Sequence, residues 1–268
     1  MDTKTQKYFV TIVLIFAGFS ASAQYWFGPK GGVNRNQFIY QSETYLDSFE
    51  VKPAYSFEVG GVFIYQASDM FSVQLELFYE RMKKSLKDKE QAGIDITSNT
   101  ANSFISAPAL FRVSFGGEPI HYYLSGGPKI RYWMGGSGTI SLDQFDEFGE
   151  GDRVWNRLAF KQKNSDVINH VYAVPNGNRI QYALVAGGGM YFDLRFGGRL
   201  LLDFKYTFGH SNMGFDGNPD FEYQQYEELF SYRNNTMSLT ASYLFEYDAK
   251  GARKGMSTIK ASNKNKKK

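Results

Sequence analysis

The chain has 268 residues and no cysteine, so disulfide frameworks, thiol catalysis and cysteine-ligated metal sites are excluded. Aromatic residues make up 17% of it, with 27 glycines and 7 prolines, which favours many β-strands and excludes collagen, coiled coils and intrinsic disorder. The net charge of +3 is unevenly spread, since residues 250–268 carry eight bases and no acid while residues 24–249 carry 20 bases and 26 acids, a net −6. A mildly acidic body is not expected to bind nucleic acid.

Residues 1–23 have the pattern of an export signal. Lys4 and Lys7 precede an apolar run over residues 8–19, and the small residues Ala21-Ser22-Ala23 follow it. Such a segment is a signal peptide, so we predict cleavage after this triplet and export of the mature chain. An uncleaved anchor is the alternative, although the run is shorter than the about 20 residues of a helical span.

Downstream of the leader, hydrophobicity alternates with a period of two, which is typical of β-strands. Phe57 and Val59 lie on one face of residues 55–66, for example, and Glu58 lies on the other. The same alternation predicts eight long strands, over residues 26–37, 55–66, 70–81, 104–115, 120–134, 179–195, 199–208 and 236–248. Aromatic residues at the strand ends predict girdles at a membrane interface, formed by Tyr55, Tyr65, Tyr79, Trp133, Tyr206 and Tyr247.

The connections between these strands alternate in length. Every second one is only a few residues long, and the others are the polar segments 41–54, 83–102, 137–178 and 209–235. Tight turns at one end, long loops at the other and an even strand number are typical of outer-membrane barrels. We therefore predict an all-β, eight-stranded antiparallel up-and-down transmembrane barrel over residues 24–248, with long outer loops and short periplasmic turns. A secreted, lipocalin-like barrel that encloses its apolar face is the alternative.

The second face of the predicted strands is polar and would line the barrel interior. It carries six bases and six acids: Lys30, Glu58, Glu76, Glu80, Arg112, Lys129, Arg131, Asp193, Arg195, Asp203, Lys205 and Glu246. An eight-stranded barrel is just wide enough to be filled by its own side chains, and a buried unpaired ion is costly. We predict that these charges form a lumen ion network that plugs the barrel. A selective conduit lined by the same charges is the alternative.

Five short motifs follow one another along the mature chain: Gly28-Pro29-Lys30-Gly31-Gly32-Val33-Asn34, Ser106-Ala107-Pro108-Ala109-Leu110-Phe111-Arg112, Tyr122-Tyr123-Leu124-Ser125-Gly126-Gly127-Pro128, Gly187-Gly188-Gly189-Met190 and Ser242-Tyr243-Leu244-Phe245. In this order and spacing they resemble the PorT-like family of outer-membrane β-barrels. The resemblance implies a Bacteroidota-type outer-membrane protein and an accessory role in type IX protein secretion or gliding. The chain departs from the family in its long third outer loop and in its basic tail, residues 249–268.

The outer loops hold two candidate sites. The third contains an acidic cluster of Asp143, Asp146, Glu147, Glu150 and Asp152. Carboxylates of this kind can bind Ca²⁺, but their spacing matches no EF-hand, so we predict a solvated loop and no metal. The fourth contains aromatic residues suited to contacts with protein or glycan, and packing of the loop on the barrel rim is the alternative; the contact candidates are Phe221, Tyr223, Tyr226, Phe230 and Tyr232.

Little in the sequence points to catalysis. Gly187-Gly188-Gly189 does not lead from a strand into a helix, so it predicts a strand bend or a close backbone approach and not a phosphate-binding loop. His210 beside Ser211 is a weak signal for a hydrolase at the barrel rim. The tail 249–268 predicts either a disordered end or a periplasmic arm that contacts an acidic partner.

The sequence thus predicts a monomeric, non-enzymatic outer-membrane barrel without a cofactor. Its expected partners are outer-membrane lipid and either secretion-machinery proteins or surface ligands. An accessory role in secretion is the first hypothesis, a surface binding protein or adhesin acting through its outer loops is the second, and a rim hydrolase is the third.

Overall fold

The structure is a computed structural model that describes residues 24–41, 46–47, 49–88, 96–142, 153–155, 157–160, 166, 168–174, 176–194, 197–214, 221–223, 226–228 and 230–247. The predictions for the leader 1–23, the acidic cluster of the third outer loop, Arg195 and the tail 249–268 lie outside these residues.

The described chain is built almost entirely of β-strands. In chain order they are β1 Gln24–Tyr40, β2 Phe49–Lys52, β3 Ala54–Gln66, β4 Phe71–Asp88, β5 Ile96–Gly117, β6 Ile120–Leu142, β7 Arg153–Trp155, β8 Arg157–Ala159, β9 Val171–Ala173, β10 Ile180–Asp193, β11 Arg199–Gly209, β12 Phe221–Tyr223, β13 Tyr226–Glu228 and β14 Tyr232–Tyr247. No helix in the described ranges is long and apolar enough to cross a membrane.

Eight of these strands close into a ring. Each pairs antiparallel with its neighbours in the order β1, β3, β4, β5, β6, β10, β11 and β14, and β14 pairs with β1 to complete the circle. The predicted eight-stranded antiparallel barrel is confirmed. A closed ring leaves no strand edge with free backbone donors and acceptors, which is the condition for a sheet to lie in hydrocarbon.

The two ends of the barrel differ as the alternating connections predict. The tight turns after β3, β5 and β10 lie at the same end as the start of β1 and the finish of β14, which we call the turn end. Gly116, Gly197 and Gly198 adopt positive φ angles of 100°, 94° and 88° in two of these turns, a conformation that other residues rarely adopt. The long connections lie at the opposite end, which we call the loop end.

The outer surface of the barrel is apolar. Large side chains point outward from every ring strand and remain exposed, including Phe111 (69%), Leu124 (63%) and Leu184 (62%). The inward positions of the same strands are mostly polar or charged, among them Lys30 and Glu80. This arrangement is the reverse of a soluble barrel, so the lipocalin-like alternative is wrong. Hydrocarbon is the medium in which such a belt is stable.

Three strands extend far beyond the belt at the loop end, which the sequence analysis did not predict. Residues 82–88 of β4, 96–103 of β5 and 135–142 of β6 stay paired in a polar sheet that we call the outer extension. None of the exposed large apolar side chains of the described chain lies in it. The outward face there is polar, and the inward face mixes apolar residues such as Met82, Leu86 and Ile140 with buried polar ones such as Asn102. The alternation of hydrophobicity therefore fades, and the segments read as loops.

Trp133 does not belong to an aromatic girdle. It points inward from β6 and is fully buried at the loop end, stacked against Phe104 with ring centroids 6.3 Å apart. Its indole N–H donates to the Asn102 side chain at 3.2 Å. A position near a strand end suggests a girdle residue, but residues 131 and 133 share one face of the strand, and Arg131 points inward.

An arginine in the middle of the apolar belt is expected to destabilise the barrel. Leu239 lies midway along β14, opposite Val33 and Phe204 and 58% exposed. Leu239→Arg should lower the free energy of unfolding by about 2–4 kcal/mol, whereas the same residue near the belt edge, in Gln37→Arg, should cost about 0–1 kcal/mol. Equilibrium unfolding in phospholipid vesicles measures both, and equal costs would contradict a lipid-facing belt.

Candidate functional site

The centre of the barrel holds a chain of buried ion pairs. Lys30 of β1 donates to Glu76 of β4 at 2.6 Å and also to Asp203 of β11. Lys205 donates to the second oxygen of Glu76 at 2.6 Å. These side chains are almost fully shielded from solvent. Because β1, β4 and β11 are not consecutive around the ring, the ion pairs span the interior instead of running along one wall.

A second carboxylate organises a neighbouring group of bases. Glu80 of β4 accepts from Lys129 and from the Ser106 hydroxyl, the latter at 2.6 Å, and its other oxygen lies 3.4 Å from Nε of Arg131. Glu58 is also buried in the interior, and its carboxylate interacts electrostatically with Lys205 and Lys129. Glu80 and Glu58 are thus surrounded by bases from β6 and β11, and the buried charges largely cancel.

Arg112 is held by groups other than carboxylates. It donates to the Gln74 side chain at 2.9 Å, and its guanidinium lies 3.7 Å from the centre of the Tyr123 ring. Tyr123 in turn donates to Asp203. Gly189, opposite Tyr123 on β10, provides the space for this ring, because a Cβ there would collide with the phenol. Gly187-Gly188-Gly189 therefore marks a close approach within the barrel.

The turn end of the interior is closed by an apolar cluster. Arg199 sits in this cluster, 5% exposed, between the rings of Trp26 and Tyr191 at 4.2 and 4.0 Å. It donates to Asp193 at 2.7 Å. Arg199 was not among the predicted interior residues, although two steps of two residues back from Asp203 along β11 place it on the inward face. The other members of this turn-end cluster are Val62, Ile64, Tyr123, Leu201 and Leu244.

The loop end of the interior is closed by a larger apolar cluster. Lys84 is buried within it, donates to the Tyr40 hydroxyl at 3.0 Å and lies 4.5 Å from the Tyr232 ring centre. A cation over aromatic faces is attracted by the negative charge of the ring faces. The members of this loop-end cluster are Phe38, Tyr40, Met82, Leu86, Phe104, Trp133, Ile140, Leu158, Tyr172, Val174, Met213, Phe230 and Tyr232.

The predicted ionic residues fall into three groups. Nine lie in the interior: Lys30, Glu58, Glu76, Glu80, Arg112, Lys129, Arg131, Asp203 and Lys205. Asp193 and Glu246 are exposed at the turn end, because Asp193 is the last residue of β10 and Glu246 is the last but one of β14. Their assignment to the lumen is therefore wrong. Arg195 is outside the described residues.

The predicted contact residues of the fourth outer loop also divide. Phe230 and Tyr232 are 2% and 0% exposed and belong to the loop-end cluster, so they are not available as a contact surface. Burial of their large rings against Trp133 and Tyr40 is what holds the loop to the barrel rim. Phe221, Tyr223 and Tyr226 belong to the hairpin formed by β12 and β13.

The structure brings no catalytic or metal-binding group together in its described part. The Ser211 hydroxyl accepts from the backbone N–H of Tyr182 at 2.8 Å, and in the described ranges no hydrogen bond joins it to His210. No group of three or more metal-ligating side chains occurs there either. At the loop end, the side-chain amide and backbone N–H of Asn169 donate to Asp166 and hold the pKa of that carboxyl below its usual range.

A closed ring of eight long strands, an apolar belt and a charged interior define an integral outer-membrane β-barrel protein. The family model described as outer membrane protein beta-barrel domain matches residues 19–214. The chain belongs to this family, and the protein is located in the outer membrane.

Solved outer-membrane barrels resemble the chain at low identity. The Yersinia pestis attachment invasion locus protein Ail is 14% identical, over 82% of this chain and 98% of that one, with a TM-score of 0.33. Neisserial surface protein A is 12% identical over 84% and 99%, with a TM-score of 0.36. OprG from Pseudomonas aeruginosa is 9% identical over 85% and 96%, with a TM-score of 0.44. No curated protein matches the chain.

Removing one carboxylate from the interior should be costly. Glu80→Gln removes the carboxylate that Lys129 and Arg131 contact directly in the interior and should lower the free energy of unfolding by about 3–5 kcal/mol. Adding Lys129→Gln removes one of the unpaired charges, so the double variant should be more stable than Glu80→Gln alone. Unfolding in vesicles measures both.

The control is Glu50→Gln, which breaks an exposed pair with Lys52 at 3.6 Å. It should cost less than about 1 kcal/mol, as exposed ion pairs do. If Glu80→Gln costs no more than this control, the interior charges are not a buried network.

Proposed function

We propose that the protein is a non-enzymatic, non-conducting outer-membrane barrel that acts by binding other macromolecules. The filled interior carries this proposal. Ion pairs such as Lys30–Glu76 occupy the centre, and apolar clusters cover both ends, so that large side chains such as Tyr123 and Trp133 occupy the path that a solute would take. A barrel without a pathway acts through its surfaces.

The outer extension favours the outer side as the binding surface. It presents a groove of about 380 Å³ whose outward side chains include Lys83, Asn99 and Ser137. Backbone pairing across β4, β5 and β6 makes this surface more rigid than a loop. A surface binding protein or adhesin is therefore the function that this geometry supports best, with the contact surface on the extension and not on Phe230 and Tyr232.

An accessory role in type IX secretion is the second candidate. It rests on the motifs shared with the PorT-like family, and a membrane-embedded scaffold without a pore is compatible with it. The two candidates differ in what is lost when the gene is deleted, since only a secretion component should affect many exported proteins at once.

The filled interior predicts the absence of steady conductance. Purified protein inserted into a planar lipid bilayer should give no large, voltage-independent current, because its lumen holds paired charges and two apolar seals. A general porin inserted under the same conditions is the positive control. Large, steady openings of the purified barrel would overturn the non-conducting proposal.

Deletion and complementation separate the two candidate roles. The deletion strain should secrete its exported proteins normally but lose binding at the cell surface, and the wild-type gene should restore that binding. A variant with Lys83→Ala, Asn99→Ala and Ser137→Ala should insert normally and fail to restore it, since the side chains that line the groove are missing. Loss of many secreted proteins in the deletion strain would favour the secretion role instead.

A further inference from the structure

The turn end of the barrel contains an open cavity of about 840 Å³ that the interior network does not use. It lies between the turn-end cluster and the solvent, at the end of the barrel where β1 starts and β14 ends. We call it the turn-end cavity. Its lining includes Trp26, Asp69, Glu118, Tyr191, Arg199 and Glu246.

The lining is acidic. Asp69, Glu118 and Glu246 form no ion pair with any base in the described part of the chain. Asp193 is also present, but it is neutralised by Arg199, whose Nη1 donates to the Gln66 side chain at 3.1 Å. The described lining therefore offers three unneutralised carboxylates, while its basic side chains are Arg199, which is paired with Asp193, and the single imidazole of His121. This excess of acids suits a cationic occupant.

A neutral donor in the same wall narrows the choice of occupant. The indole N–H of Trp26 is buried, the residue being 6% exposed, and it has no acceptor among the described residues. Arg199 covers the face of this ring at 4.2 Å. A simple cation supplies no acceptor for the indole, whereas a basic peptide brings carbonyl oxygens together with its ammonium and guanidinium groups.

A basic peptide of this kind is present in the same chain, immediately after β14. Glu246 lines the cavity one residue before β14 ends, and residues 250–268 contain eight bases and no acid. Lys250 and Lys254 lie four and eight residues after Glu246, so an extended chain carries them at most roughly 14 and 28 Å from it. A tethered segment of this reach has an effective concentration of about millimolar at the cavity.

We propose that the basic C-terminal segment, residues 249–268, binds the turn-end cavity of its own barrel. Its Lys and Arg side chains neutralise Asp69, Glu118 and Glu246, and its backbone carbonyls accept from Trp26. The segment thereby covers the turn end of the barrel.

A labelled peptide tests this assignment. A synthetic peptide of residues 249–268 is added to two proteins in zwitterionic nanodiscs at about 50 mM salt, where exposed charges are weakly screened. One protein is the full chain, and the other ends at Asp248 and so keeps every ring strand. By fluorescence anisotropy, the shortened chain should bind the peptide at least about tenfold more tightly, because the tethered copy competes in the full chain.

The cavity acids are then neutralised in the shortened chain. Asp69→Asn, Glu118→Gln and Glu246→Gln together should weaken the binding of the peptide by at least about tenfold. The matched control, Asp47→Asn, Glu50→Gln and Asp166→Asn, removes the same charge from the loop end and should change little. Retention of the heat-sensitive gel mobility of a folded barrel verifies both variants.

Three results would overturn the proposal. Equal binding to the full and shortened chains would show that the tether does not occupy the site. Equal losses of peptide affinity in the two triple variants would show that binding depends on the net charge of the protein alone. Binding that occurs only in nanodiscs with anionic lipid would assign the segment to the membrane surface instead.

Discussion

The register between β1 and β14 runs from Tyr25 opposite Tyr247 to Tyr40 opposite Tyr232 and leaves no open sheet edge in the belt. In hydrocarbon no water is available to satisfy a free backbone N–H or carbonyl. Closure therefore decides where the sheet can reside, and it also creates an interior that is separated from lipid. The apolar outer surface and the charged centre are the two chemical consequences of that one constraint.

The interior of this eight-stranded barrel is narrow, and the charges buried in it are paired. Each carboxylate lies between two bases: Glu76 pairs with Lys30 and Lys205, and Glu80 pairs with Lys129 and Arg131. Two buried cations, Lys84 and Arg112, lie over aromatic rings. These arrangements rigidify the wall from within and occupy the space that a transport pathway would need.

The two ends of the filled barrel differ in structure. At the loop end, β4, β5 and β6 continue as the outer extension, and the aromatic loop-end cluster ties the neighbouring segments to the rim. At the turn end, tight turns expose an acidic cavity beside the start of the basic C-terminal segment. The two ends therefore present different chemistry: polar side chains at the loop end and carboxylates at the turn end.

The amino-acid sequence by itself determined the number of ring strands, their antiparallel order, the alternation of turns and loops, and which face of each strand is apolar. All of these depend on local spacing, because successive side chains of a strand point to opposite faces. It also placed residues such as Lys30, Glu76 and Asp203 on a common polar face. Only the tertiary structure decided which charge meets which, because partners depend on the height at which strands align around the ring.

The alignment of the strands around the ring also explains which predictions were wrong. Trp133, Phe230 and Tyr232 read as surface aromatics along the chain, but alignment of the strands puts them in one buried cluster. Asp193 and Glu246 share the inward alternation of their strands yet lie beyond the seal at the turn end. A period of two assigns a face and carries no information about depth, and depth separates a buried ion from an exposed one.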